Sequence, residues 1–159
     1  MNIKRFDEVS VSVGEFINKE FSEYGTQNEV ALYYDEFCFV AEDEDGSILG
    51  VITGRTTYNE VHVVDLIVSH ECRKGGIGSR LVSAVENAYK GKGFDKITLT
   101  TYGFQAPDFY KKQGFELEFV REDKDPKLSK YFFSNSFFIF SFSDFIELII
   151  CSYVSFDNS

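Results

Sequence analysis

Apolar residues between positions 7 and 24 recur every three or four places, at Val9, Val13, Phe16, Ile17, Phe21 and Tyr24. That spacing makes one apolar stripe and predicts an amphipathic helix over 7–24, with Asp7 as its N-cap and Gly25 as its stop. The period then changes. Residues 37–42 and 48–56 are rich in β-forming side chains, and the intervening 43–47 carries Asp45-Gly46, a strong hairpin signal. A second turn at 58–60 passes into the apolar run Val61-His62-Val63-Val64-Asp65-Leu66-Ile67-Val68. A helix followed by a three-stranded antiparallel meander is therefore expected.

In the second half, Ile77, Leu81, Ala84, Val85 and Ala88 define another helical stripe, which ends at Gly91 to Gly93. Residues 96–101 read as a short strand, so strand, helix and strand form a βαβ unit with parallel strands. Pro107 fits a first helical turn, Asp108 suits its positive end and Gly114 terminates it, giving a short helix over 105–114. Phe115, Leu117 and Phe119 alternate with Glu116 and Glu118, the pattern of a half-buried strand over 115–121. A charged turn containing Pro126 precedes a last strand that begins at Lys130.

Beyond Asn135 the chain is dense in aromatics, with Phe137, Phe138, Phe140 and Phe142, and Ser143-Asp144 is expected to cap a short helix over 145–153. Asp144, Glu147 and the serines at 141, 143 and 152 interrupt that stretch, so no membrane anchor is expected. It reads instead as an extension, 138–159, packed on a domain formed by 1–137 or on a partner subunit, the latter giving a homodimer. Left uncovered it would be an aggregation-prone strand.

A length of 159 residues suits one domain, and 43% hydrophobic with 26% charged residues is ordinary for a globular protein. The net charge of −10 leaves no basic face for nucleic acid and suits a cationic partner such as an amine. Cys38, Cys72 and Cys151 are widely spaced and odd in number, which supports neither a metal site nor a disulfide framework. The first eight residues hold no apolar core of signal-peptide length, so a reducing, cytoplasmic setting is expected.

The chemistry concentrates in the turn Arg73-Lys74-Gly75-Gly76-Ile77-Gly78-Ser79, between strand and helix. Glycines there lay backbone amides bare at a helix N-terminus, where the positive end of the dipole attracts phosphate oxygens, and Arg73 and Lys74 add cationic charge. The dinucleotide fingerprint fails, because the position of its third glycine is Leu81, and the lysine of a P-loop is absent. What remains is Arg73-x-x-Gly76-x-Gly78 after a strand ending Leu66-Ile67-Val68, which resembles the acetyl-CoA pyrophosphate loop of the GCN5-related N-acetyltransferase (GNAT) superfamily. A second stretch, 106–115, is similar to that family's pattern of alanine, three spacers, tyrosine, then Gly-Phe entering a strand. It is read here as Ala106, Tyr110, Gly114 and Phe115. The resemblance covers roughly 7–137.

The resemblance implies an α/β acyl-CoA N-acyltransferase fold with a mixed, mostly antiparallel central sheet flanked by helices. It implies acetyl-CoA as cosubstrate and a small-molecule or protein amine as acceptor, acetylated directly in a ternary complex. Amides from Lys74 through Gly75, Gly76, Ile77 and Gly78 to Ser79 would hold the pyrophosphate, with Arg73 beside them. The strand edge Leu66, Ile67 and Val68 would pair with the pantetheine arm, splayed from its neighbour, and an amide near Leu66 would face the developing oxyanion. Tyr110 would protonate the departing thiolate. Gly103 stands where many members carry asparagine, and Gln105 would be the substitute for that coenzyme contact. Tyr33, Tyr34, Asp35 and Glu36 lie where the family keeps its acceptor site. Candidate general bases are His62, Asp65 and Glu60. Strict alternation puts His62 and Asp65 on opposite faces, but a bulge would change the count. His70, in a loop, has no role. A module that binds acyl-CoA without turnover, and a dimeric scaffold dominated by the aromatic tail, are the rival readings.

Overall fold

The structure, a computed structural model, describes residues 1–31 and 33–137. The extension at 138–159 lies outside the described residues. In chain order the elements are α1 (Val11–Gln27), β1 (Asp35–Glu42), β2 (Ile48–Thr57), β3 (Glu60–Val68), α2 (Ile77–Tyr89), β4 (Lys96–Tyr102), α3 (Pro107–Lys112), β5 (Glu116–Arg121) and β6 (Lys130–Ser136). The strands form one sheet in the order β1-β2-β3-β4-β6-β5. The β3–β4 pair is parallel and the others are antiparallel, so the last strand inserts between β4 and β5. The first hairpin closes as its sequence demands. Asp43 Oδ1 accepts from the amides of Asp45 (3.0 Å) and Ser47 (2.8 Å), and Gly46 takes φ 79°.

One face of the sheet is covered by α2. Leu81, Val82 and Val85 pack there on Ile52, Val61, Val63, Ile97, Leu99 and Phe133, all of them buried. Full burial of side chains of this size contributes roughly 1.5–3 kcal/mol each. Val82 was outside the expected stripe. It is buried because α2 meets three strands, β1, β2 and β3, along a contact wider than the expected stripe. Phe109 and Tyr110 of α3 pack against the same core.

Three expectations need correction. The first helix begins at Val11, not Asp7: Ser10 is its N-cap, and its hydroxyl accepts from the Val13 amide at 3.4 Å. Nor does Gly25 stop that helix, which runs on to Gln27. The chain folds back so tightly that a Cβ on Gly25 would lie 2.8 Å from the Val30 carbonyl oxygen, so the glycine serves a close crossing. In β5 the alternation breaks at a bulge between Leu117 and Phe119. Phe119 therefore pairs with Phe132 on the face away from α2, ring centroids 5.7 Å apart, and Arg121 lies over the same Phe132 ring. The apolar stripe of α1 is also left open, with Phe16, Ile17, Phe21 and Tyr24 exposed.

Candidate functional site

The site is built around a break in the sheet. Parallel pairing of β3 with β4 runs from Glu60↔Lys96 to Val63↔Leu99 and stops there. Past that point, among the described residues, β3 pairs with β2 alone and β4 with β6 alone, the latter pairing continuing to Tyr102↔Lys130. The two strands thus diverge at Val64. At the same place the β2–β3 register shifts, Thr53 opposite Asp65 but Gly54 opposite Val63, so Val64 is one residue too many. Gly54 makes this possible, since a Cβ there would collide with the His62 carbonyl and the Phe37 ring.

Backbone groups beyond the bulge alternate in direction. The Ser69 amide donates to the Leu49 carbonyl at 2.8 Å, so counting back along an antiparallel ladder makes Ile67 and Asp65 the residues bonded to β2. Leu66 and Val68 then turn their N–H and C=O groups into the gap. Arg73 agrees, since its Nε reaches the Val68 carbonyl from that side at 3.2 Å. Of the expected strand edge, Leu66 and Val68 face the opening and Ile67 does not.

At the mouth of the gap stands the glycine turn. Gly76 is the N-cap of α2 in the left-handed region, φ 81°, and it has no side chain to cap the helix. The amides of Ile77, Gly78 and Ser79 therefore have no intrahelical acceptor and point outward together. Lys74 is also left-handed at φ 68°, which turns the chain between Arg73 and Gly75. Gly78 serves packing: a Cβ there would sit 3.2 Å from the Phe109 ring and 3.8 Å from Val68 Cγ2. That contact seats α3 beside the divergent half of β3. The arrangement fits a diphosphate at the amides and an extended arm along Leu66 and Val68.

Tyr110 lies on the α2-covered side, its ring 5.9 Å from that of Phe115 and 6.0 Å from that of Phe133. Burial pushes its phenol above the ordinary 10.0, so it stays protonated. His62 and Asp65 occupy the other side. The bulge puts both on one face, because Thr53 and Arg55, their partners in β2, are two apart on a regular strand. His62 Nδ1 is 2.9 Å from Thr98 Oγ1, and that hydroxyl lies 3.4 Å from Glu60 Oε2. With Thr98 donating to the Glu60 carboxylate, the tautomer this chain of bonds selects carries its proton on Nδ1 and leaves the Nε2 lone pair free. Half-burial, and secondly the Arg55 charge, hold the imidazole below its ordinary 6.5, with Glu60 opposing them. Asp65 Oδ2 accepts from Thr53 Oγ1 at 3.1 Å.

Among the remaining expected residues, Gln105 uses its Oε1 to accept from the Tyr102 amide (2.8 Å) and Thr101 Oγ1 (3.0 Å), closing the turn after β4. Gly103 can bear no side chain, because its Cβ would strike the Pro126 carbonyl. Tyr34 donates to Glu36 Oε1 at 2.7 Å on the open face. Thr98 and Arg55 were not anticipated. Each is the cross-strand neighbour of His62, and a pairing register would have been needed to find them.

Residues 10–115 match the model of the acetyltransferase (GNAT) family. The chain is similar to an acetyltransferase from Bacillus cereus ATCC 14579, with 32% identity and a TM-score of 0.68 over 84% of this chain and 97% of that one. It is 32% identical to blasticidin-S acetyltransferase of Streptomyces morookaense over 89 residues, 55% of this chain and 65% of that protein. An aminoglycoside 6'-N-acetyltransferase solved with coenzyme A shares the fold, at a TM-score of 0.55 and 17% identity over 87% of this chain and 98% of that one. The matches span 33% to 65% of the length of the curated relatives.

Proposed function

The chain belongs to the acetyltransferase (GNAT) family, and we propose that it moves an acetyl group from acetyl-CoA to a primary amine by direct attack within a ternary complex. One observation supports this reading: β3 and β4 part at Val64 beside the uncapped amides of α2, with His62 and Tyr110 on opposite faces of the sheet. The coenzyme's diphosphate sits on the amides of 76–79, and its pantetheine arm adds as a strand along Leu66 and Val68.

The amine approaches from the open face. As its nitrogen bonds to the thioester carbon, negative charge develops on the carbonyl oxygen, and the Leu66 N–H, held in place by the rest of β3, stabilises it. The nitrogen becomes acidic as the bond forms, and His62 Nε2 accepts its proton; the chain through Thr98 to Glu60 steadies the resulting imidazolium. Collapse expels the coenzyme thiolate on the helix-covered side, where Tyr110 supplies a proton. His62 and Tyr110 then return to their starting states through solvent. The products are the N-acetyl amine and free coenzyme A.

The test is release of free thiol from acetyl-CoA across a broad panel of primary amines. Amine-dependent thiol release is the expected result. Coenzyme binding with no release for any amine would overturn transferase activity and leave an acyl-CoA-binding module.

A further inference from the structure

Arg55 stands on the open face and makes no ion pair among the described residues. The register sets it directly between Glu36 of β1 and His62 of β3. Glu36 is nevertheless held by the Tyr34 hydroxyl at 2.7 Å and leaves the guanidinium free. In the next cross-strand row stand Cys38, Thr53 and Asp65. A depression of about 440 Å³ opens over the β1–β2 part of these rows, with Glu36, Cys38, Thr53, Arg55 and Val64 in its lining and His62 and Asp65 outside it.

This cation is in the wrong place for a simple amine. An approaching ammonium would meet Arg55 beside His62, in a chain whose net charge of −10 offers ample carboxylate elsewhere. The conflict disappears if the acceptor brings its own negative charge. We propose that Arg55 is an anion subsite for the acceptor, which is an amino-acid-like zwitterion: its carboxylate pairs with the guanidinium while its amine lies between His62 and Asp65. Successive positions on one face of a strand are roughly 7 Å apart, within the span of a small amino acid met by two flexible side chains. A guanidinium fork matches a carboxylate through two parallel hydrogen bonds, which a lysine cannot reproduce. The Asp65 carboxylate, steadied by Thr53, faces the amine end and rejects acceptors bearing only negative charge.

This inference rests on the acetyl-transfer reading of the same site, so its test reads binding and turnover separately. Free amino acids are compared with their C-terminal amides, on the wild type, Arg55→Gln and Arg55→Lys, by thiol release and by competition in saturation-transfer NMR. The wild type is expected to favour the acid form by about 10- to 100-fold, through KM rather than kcat. Arg55→Gln removes that preference, Arg55→Lys keeps part of it, and the KM for acetyl-CoA moves in neither. Equal use and equal binding of acids and amides by the wild type would overturn the subsite, as would a preference that survives Arg55→Gln. If no amine releases thiol but acids still outcompete amides in an Arg55-dependent way, the transferase reading falls and the subsite stands.

Discussion

The two halves of β3 share a strand and a composition but not a role. Residues 60–63 are bonded on both edges, and Val61 and Val63 are buried beneath α2. Residues 64–68 are bonded on one edge, with Val64 and Ile67 exposed. The first half is structure, because it is paired with a neighbouring strand on each edge. The second half turns the Leu66 groups and the Val68 N–H into the gap without a strand partner among the described residues, while the Val68 carbonyl is held by Arg73 Nε. A single extra residue opposite a glycine separates the two, and the same bulge gathers His62 and Asp65 onto one face.

The largest expected effects remove the two groups proposed to transfer protons, Tyr110 and His62. Tyr110→Phe and His62→Gln should each lower kcat by about 10²–10⁴ with little change in acetyl-CoA affinity, read by steady-state thiol release and calorimetry. Turnover against pH should separate them. His62 is held below 6.5, so its base form persists at neutral pH and the rate falls only as pH drops through that lowered value. The folded form also prefers the neutral imidazole, so stability declines in the same direction, below pH 6.5. Tyr110 is raised above 10.0, so no alkaline loss of the acid is expected below that pH, and Tyr110→Phe removes the alkaline limb.

Proline probes the two edges next. Leu66→Pro deletes an amide that faces the gap and should cost about 10²–10³ in kcat while the chain stays folded. Ile67→Pro deletes an amide bonded to β2 and should instead lower unfolding stability by roughly 1–3 kcal/mol, seen in denaturant titration. Similar behaviour of the two variants would erase the distinction between the halves. The smallest effect is expected at the mouth. Gly76→Ala forces a Cβ into the left-handed region, at a cost of roughly 1–2 kcal/mol, and should weaken acetyl-CoA binding by about tenfold.

Most of the fold was legible in the sequence. The meander followed from β-rich runs and the Asp45-Gly46 turn, the βαβ unit from a helical stripe between two strands, and α3 from Pro107 and Gly114. The glycine turn was legible as well, since residues 76 and 78 do local work, one through φ and one beneath Phe109. The rest depends on pairing between distant segments. Nothing in 60–68 marks Val64 as the extra residue, and the cause is Gly54 in another strand. The Thr98 bond to His62 spans 36 positions. The misplaced end of α1 has the same origin: Gly25 has the look of a stop, but it is required where Val30 crosses.

Amide hydrogen exchange along 64–68, followed by NMR with and without acetyl-CoA, tests the central claim most directly. Leu66 and Val68 should exchange quickly in the free protein and become protected on binding, together with Ile77, Gly78 and Ser79. Asp65 and Ile67, already bonded to β2, should be slow in both states. Uniform protection along the strand, or none at Leu66 with saturating coenzyme, would contradict the assignment of this gap as the coenzyme's seat.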